Sequence, residues 1–320
     1  MAEGEHAEIL GISLIDDQLR IVEGRRSANE FNITQLAQGR TRHPFDFEAF
    51  ADKNMPRRFA EDITRLYETR DFQMKQAAFS LDSQMVLIKK LPVDNKLDAE
   101  KIAPQVNWEV EQFAISPISE YIIDYEPLGS NGTAANQDML VVIVRKKIIE
   151  FLKQIFKNTD LQLKVIDVDI FSAHRALQLN YDYNNVEKIG LIDVGERKIH
   201  FSILKERKYF LSQDVTFPAI DKNQESRLDS TTRLISKELR RILLDHKLGK
   251  KVEDLNEIFL YGESVEDAVL EELQNNHDVR IERADPFKKI KLMAKAKENI
   301  GEARTEPYMI SVGAALRGIQ

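Results

Sequence analysis

The chain has 320 residues, 42% hydrophobic and 31% charged, which is enough to bury a sizeable core and to divide into two or more domains. Its formal net charge is -7 with acids and bases interspersed, so no basic stripe marks a nucleic-acid surface. It has no cysteine, which excludes disulfides and thiolate metal sites. Its six histidines (His6, His43, His174, His200, His246, His277) have no ligand spacing that would suggest a structural metal. The acidic opening Met1-Ala2-Glu3-Gly4-Glu5-His6 is unlike a signal peptide, and no apolar run approaches the roughly 18 residues of a membrane helix. A cytoplasmic protein without a membrane span is expected.

In chain order, the alternating runs Glu8 to Leu14, Gln18 to Glu23 and Glu30 to Gln38 predict an antiparallel meander. Pro56 opens a helix that carries Phe59, Ile63, Leu66 and Tyr67 at helical spacing up to Arg70. A buried strand, Gln76 to Leu81, follows. Met85 to Leu91, the helix Asp98 to Phe113, Tyr121 to Tyr125 and Met139 to Arg145 then form a strand-helix-strand-strand unit. Helix Lys146 to Phe156, strand Leu163 to Val168 and helix Phe171 to Leu179 return to α/β alternation. A second meander spans Lys188 to Val194, Lys198 to Leu204 and Lys208 to Val215. After it come helix Ser230 to His246, strand Glu257 to Tyr261, helix Val265 to Leu273, strand Val279 to Glu282 and a terminal helix, Tyr308 to Arg317. The polar stretches Gly129 to Asn136 and Asp221 to Ser230 read as flexible connections.

The two meanders align without gaps. Leu10-Gly-Ile-Ser-Leu-Ile-Asp-Asp-Gln-Leu-Arg-Ile-Val22 lies 180 positions before Gly190-Leu-Ile-Asp-Val-Gly-Glu-Arg-Lys-Ile-His-Phe-Ser202, so the chain is a duplicated α/β domain. Asp193 and Gly195 sit at a strand-to-turn junction. There a carboxylate can hold hydrated Mg²⁺, and a glycine lets backbone N–H groups approach phosphate. The first copy has Ser13 and Ile15 at these positions, which removes the charge and puts a β-branched side chain where bare backbone is needed.

A repeated strand-turn-strand with Asp-x-Gly in the turn resembles the phosphate loops of the actin, Hsp70 and sugar kinase superfamily, and within it the PilM family of type IV pilus assembly proteins. The opening Leu10 to Glu23 resembles that family's Gly-Ile-Asp-Ile-Gly segment. Glu109-Val-Glu-Gln-Phe-Ala-Ile-Ser-Pro117 and Tyr121-Ile-Ile-Asp-Tyr-Glu-Pro-Leu-Gly129 are similar to its next stretch, and Val165 to Leu177 resembles its Val-Asp-x-Glu-x-x-Ala helix entry. Ala284-Asp-Pro-Phe287 and Ser311-Val-Gly-Ala-Ala-Leu-Arg317 are similar to its C-terminal signature. The resemblance implies duplicated actin-like (ribonuclease H-like) domains with an inserted strand-helix-strand-strand (SHS2-type) subdomain. Residues 1–82 with 146–185 would form the first actin-like domain, 83–145 the insertion and 186–320 the second actin-like domain. It also implies residual nucleotide contacts at Ser13, Asp193, Gly195 and Gly262. Against that, Tyr261-Gly-Glu-Ser264 keeps one glycine of an expected Gly-Gly turn, Glu263 would repel phosphates, and no glycine stands between Val215 and Gly249.

Several residues admit a plainer reading. Asp193 and Gly195 also suit a turn kept for its geometry, and Asp16-Asp17 suits a solvated hairpin turn. Asp167 and Asp169 can supply general-base chemistry, with Asp169 expected to cap the next helix. Trp108, Val110 and Phe113 are either a peptide-binding face or core, with core expected for at least one. The basic cluster Lys288-Lys-Ile-Lys291 with Lys295 and Lys297 reads as a solvated face rather than a lipid contact.

The resemblance implies a cytoplasmic scaffold under the inner membrane. It would bind the short N-terminal cytoplasmic tail of a bitopic pilus or secretion protein in a groove beside the inserted subdomain. The departures at Ser13, Ile15 and Glu263 make it a non-hydrolysing pseudo-ATPase, without catalytic residues and with no cofactor expected. The alternative is an ATP/Mg²⁺-binding switch or weak ATPase using Asp193 and Gly195. A filament-forming, FtsA-like role is the third reading, a homo-oligomer being compatible with the first.

Overall fold

The computed structural model describes residues 7–27, 30–94, 96–128, 136–183, 186–217 and 224–318, the side chains of 7 and 224–229 excepted. The opening alternation forms β1 (Ala7–Ile15), β2 (Gln18–Ser27) and β3 (Glu30–Arg40), an antiparallel meander with Ser13 opposite Arg20. Next come α1 (Met55–Glu68), with Pro56 in its first turn, and β4 (Gln76–Leu81). The inserted unit is β5 (Val86–Asp94), α2 (Ala99–Glu111), β6 (Tyr121–Pro127) and β7 (Asn136–Arg145), and α3 (Lys146–Lys157), β8 (Gln162–Val168) and α4 (Asp169–Asn180) complete the first half. The second half has β9 (Lys188–Val194), β10 (Lys198–Lys205), β11 (Lys208–Thr216), α5 (Gln224–Asp245), β12 (Glu257–Tyr261), α6 (Asp267–Asn276) and β13 (Arg280–Arg283). The chain continues through β14 (Lys291–Leu292), α7 (Ala294–Ile300) and α8 (Met309–Gly318).

The large sheets run β14-β3-β2-β1-β4-β8 and β11-β10-β9-β12-β13. Without β14 they share one order. In each, the meander's first strand pairs in parallel with the strand after the next helix, and that strand with one more. The 180-residue offset survives in the register, since Ser13 opposes Arg20 and Asp193 opposes His200. The inserted strands form their own sheet, β5-β7-β6, over a separate core of Leu91, Val93, Val106, Val110, Met139, Val141 and Ile143. The predicted strand-helix-strand-strand order is present.

β1 is buried on both faces because helices cover both sides of its sheet. Leu10, Ile12 and Leu14 pack with α1 and α3, whereas Ile9 packs with α4 and α8. α8 reaches its seat through small residues. A Cβ on Gly313 would collide with Ser172 of α4, and one on Gly11 with Ser311 and Ala315 of α8. The core around α4 and α8 continues into the second sheet through Ile189, Leu191, Phe259 and Tyr261, so it joins the halves.

The boundary expected at residue 186 is crossed by the end of the chain. β14 pairs with β3, and α7 and α8 pack on the first sheet, so the segment from Lys291 onward belongs physically to the first half rather than to the second domain. The small residues of α8 allow it to pack closely against β1 and α4. α5 begins at Gln224, inside the stretch Asp221 to Ser230 read as a connection; positions 221–223, and the 129–135 part of the other loop, lie outside the described residues. Sequence periodicity missed β14 and α7, which are 2 and 7 residues long.

Candidate functional site

The ends of β1, β9 and β12 meet where the halves face each other. Ser13, Asp193, Gly195 and Gly262 line one cleft together with Ile15 and Glu263, so the structure brings together the residues singled out from the repeat and those singled out from the family's turn pattern. Gly262 has φ 102°, and a Cβ there would run into Asp193 Oδ1, which makes glycine a steric requirement of the closed cleft. The free space is about 30 Å³, room for a water molecule. Nucleotide-sized ligands need about 300 Å³ or more.

Ion pairs occupy the remainder. Glu263, expected to repel phosphate, is paired with the buried Arg20 guanidinium across the cleft, and Arg20 also lies 5.5 Å from the ring centroid of Tyr308. At the mouth Arg40 of β3 pairs with Glu196 of the β9–β10 turn and, at 3.2 Å, with Asp17. The Asp16-Asp17 turn is thus partly engaged: Asp16, at φ 52°, lines the cleft, and burial raises its carboxyl pKa.

Deeper in lies a polar network that motif reading missed. Lys198 Nζ donates to both carboxylate oxygens of Asp82, at 2.8 and 2.9 Å, joining the second half to the first, and lies 3.8 Å from Asp214. His200 Nδ1 is 2.7 Å from Asp214 and 3.4 Å from Ser83 Oγ, and Ser83 Oγ donates to Asp169 at 3.3 Å. Burial disfavours the Lys198 ammonium, but Asp82, Asp214 and Asp169 outweigh it and hold its pKa above the ordinary lysine range. Burial pushes Asp193 up to about 7 against the pull of Lys198, and Asp169 up to about 6, with Asp82 adding to the rise. Burial also opposes the charge on His200, yet Asp214 and Asp169 raise its pKa overall. The available signal was the alternation Lys198, His200, Ser202, three polar residues on one face of a strand whose other face is Ile199, Phe201 and Ile203.

Asp169 is not the helix cap expected of it. Val168 holds the N-cap position; Asp169 is the first helical residue, accepts the Ile170 N–H at 2.6 Å and turns its other oxygen to Ser83. Asp167 accepts from Ser172 at 2.7 Å and pairs with Arg175 at 2.6 Å.

A second concavity differs in every respect. Between the first half and the inserted unit runs an apolar groove of about 410 Å³, walled by Phe47, Met85, Leu87, Phe113, Ile115 and Ile148, with Arg145 the one charged residue among the described residues that line it. Phe47, Leu87 and Ile115 are 55%, 42% and 90% exposed, a concentration of apolar surface that folding leaves uncovered. Of the three residues weighed on α2 and just beyond it, Val110 is core, Phe113 lines the groove and Trp108 is exposed.

Duplicated sheets of one strand order, facing across a cleft walled by the two meander turns and carrying an inserted subdomain, define an actin-like protein. A family model described as type IV pilus assembly protein PilM matches residues 11–226, and the chain belongs to that family. Its fold is similar to that of the PilM–PilN type IV pilus biogenesis complex, at 20% identity and a TM-score of 0.82 over 98% of this chain and 99% of that one. It is also similar to the cytoplasmic domain of EpsL, an inner-membrane component of the Vibrio cholerae type II secretion system, at 10% identity and a TM-score of 0.50 over 98% and 94% of the chains. Among the described residues no helix is long and apolar enough to cross a membrane.

Proposed function

We propose that the chain is a scaffold of a type IV pilus or type II secretion-like inner-membrane assembly, held at the cytoplasmic face of the membrane by a bitopic partner whose short cytoplasmic tail seats in the apolar groove. The observation that carries this reading is the groove itself, with Phe47, Leu87 and Ile115 exposed along it. Family membership and the PilM–PilN likeness point to a partner of the PilN type. An apolar tail that orders on binding loses conformational entropy, so a micromolar affinity, about -8 kcal/mol, is expected. The test is titration with a peptide of the N-terminal cytoplasmic segment of the PilN-type protein from the same organism, against wild type, Ile115→Glu and Leu87→Glu. Saturable binding lost in both variants at unchanged melting temperature supports the groove; undiminished binding places the contact elsewhere.

The same reading makes the chain a pseudo-ATPase. Lys198 supplies positive charge among the cleft carboxylates, and the Arg20–Glu263 pair fills the space between the turns. The competing ATP-driven switch must break Arg20–Glu263, Arg40–Glu196 and Lys198–Asp82 to admit a nucleotide. Calorimetry with Mg-ATP decides: micromolar affinity abolished by Asp193→Ala would establish the switch.

A further inference from the structure

Cleft and groove share a wall only a few residues thick. β4 ends at Leu81, and the next residue, Asp82, holds Lys198 of the second half with both carboxylate oxygens. Ser83 reaches Asp169 and His200 in the same network. The residues that follow, Gln84, Met85 and Val86, line the groove. One 3-10 turn, Ser83–Met85, lies between the two functions, and Asp82 shapes it: Gln84 N–H donates to Asp82 Oδ1 and Met85 N–H to the Asp82 backbone carbonyl, both at 2.9 Å. The carboxylate oxygen that caps the turn also accepts from the ammonium across the cleft. Met85 is 6% exposed and wedged into the first-half core, so the turn transmits a shift rather than absorbing it.

A second tether has the same effect. The inserted unit is covalently joined to the first half yet touches the second, with Lys90 Nζ 4.0 Å from the ring centroid of Phe210 and Lys208 Nζ donating to the Leu128 carbonyl. Moving the second half away from the first pulls on Asp82 through Lys198 and on β5 through Lys90, and β5 carries Val86 and Leu87 of the groove. Both connections run from the second half to residues of the groove wall.

Resting on the groove reading, we infer that groove occupancy and cleft closure are coupled through residues 82–86, the Lys198–Asp82 pair being the element that makes tail binding sensitive to the state of the cleft. Because coupling is reciprocal, a tail that prefers the closed cleft must also stabilise it. The regulatory input is then whatever separates the halves, and the output is release of the membrane partner.

The experiment uses the full chain and the fluorescein-labelled N-terminal segment of the PilN-type protein from the same organism. Lys198→Met, which does not touch the groove, weakens the tail at least about fivefold, the lower end of ordinary coupling. Lys295→Gln, which removes a surface pair with Asp71 remote from both sites, leaves affinity within about twofold. Hydrogen exchange on wild type supplies the measure should Lys198→Met fail to fold: peptide binding slows exchange at residues 195–200, across the cleft from the groove. Wild-type affinity in a folded Lys198→Met, or unchanged exchange at 195–200 on saturation, overturns the coupling while leaving the groove reading intact. Absence of peptide binding to wild type overturns the groove reading and this inference with it.

Discussion

The cleft and the groove are concave surfaces a few residues apart, built from opposite chemistry. At the cleft, Arg20 pairs with Glu263 beside about 30 Å³ of free space, and behind it Lys198 pairs with Asp82 and His200 with Asp214. In the groove, Phe47, Leu87 and Ile115 face about 410 Å³ with one charged neighbour. A site whose charges are met internally gains little from an added ligand, because every new contact must replace one already made. A site of uncovered apolar surface gains from anything apolar that excludes water. The difference is what the proposed function rests on: the groove, and not the cleft, offers uncovered apolar surface.

The comparison can be broken most forcefully at Lys198. Lys198→Met leaves Asp82 buried without its partner, which costs about 3–5 kcal/mol, read as a large drop in denaturant midpoint at constant m-value. A loss under about 1 kcal/mol would mean that the network is not what closes the cleft. Ile115→Glu in the groove lies at the other pole. With the side chain 90% exposed, stability should hardly change, while tail affinity falls tenfold or more, about 1.4 kcal/mol or above. A melting temperature that drops instead would make this part of the groove structural.

The pH dependence sharpens the contrast. Asp193 has a folded pKa of about 7 against an ordinary value of 3.8. Between those values the folded chain holds a proton that the unfolded chain has released, so stability falls as pH rises through that window. His200, raised above 6.5, acts in the same direction. Asp193→Asn should therefore raise the melting temperature at pH 8, with the gain fading toward pH 4, whereas tail binding, which meets no carboxylate or histidine among the described groove residues, should vary less over the same range. The smallest effect belongs to Arg40→Gln. Its pair with Glu196 is half exposed, and a thermal scan should show less than about 1 kcal/mol, diminishing with salt.

Much of this was legible in the residues. The 180-residue offset placed Ser13 and Asp193 in equivalent strands, β4, β9 and β12 have the bounds read from hydropathy, and the family likeness foretold the actin-like fold. Strands and amphipathic helices are local: their period of 2 or 3.6 is written in consecutive residues and survives without knowledge of the partner. Glycine and acid positions in the repeat are local too, which is why Asp193 and Gly195 could be placed at a turn from the sequence, whereas Gly262 was singled out from the family pattern.

What only the tertiary structure decided depends on residues far apart in sequence. Lys198 meets Asp82 over a separation of 116 positions, Arg20 meets Glu263, and β14 and α8 return to the first sheet from the end of the chain. Pairing of this kind has no period. A lysine or glutamate reads as solvated wherever it stands until the fold surrounds it, because burial is a property of the assembled halves and not of any window of residues. Glu263 changed from an expected repulsion to a salt-bridged clasp for that reason. The groove followed the same logic: Leu87 and Ile115 looked like ordinary apolar residues, and only the fold shows that they stay exposed where the inserted unit meets the first half.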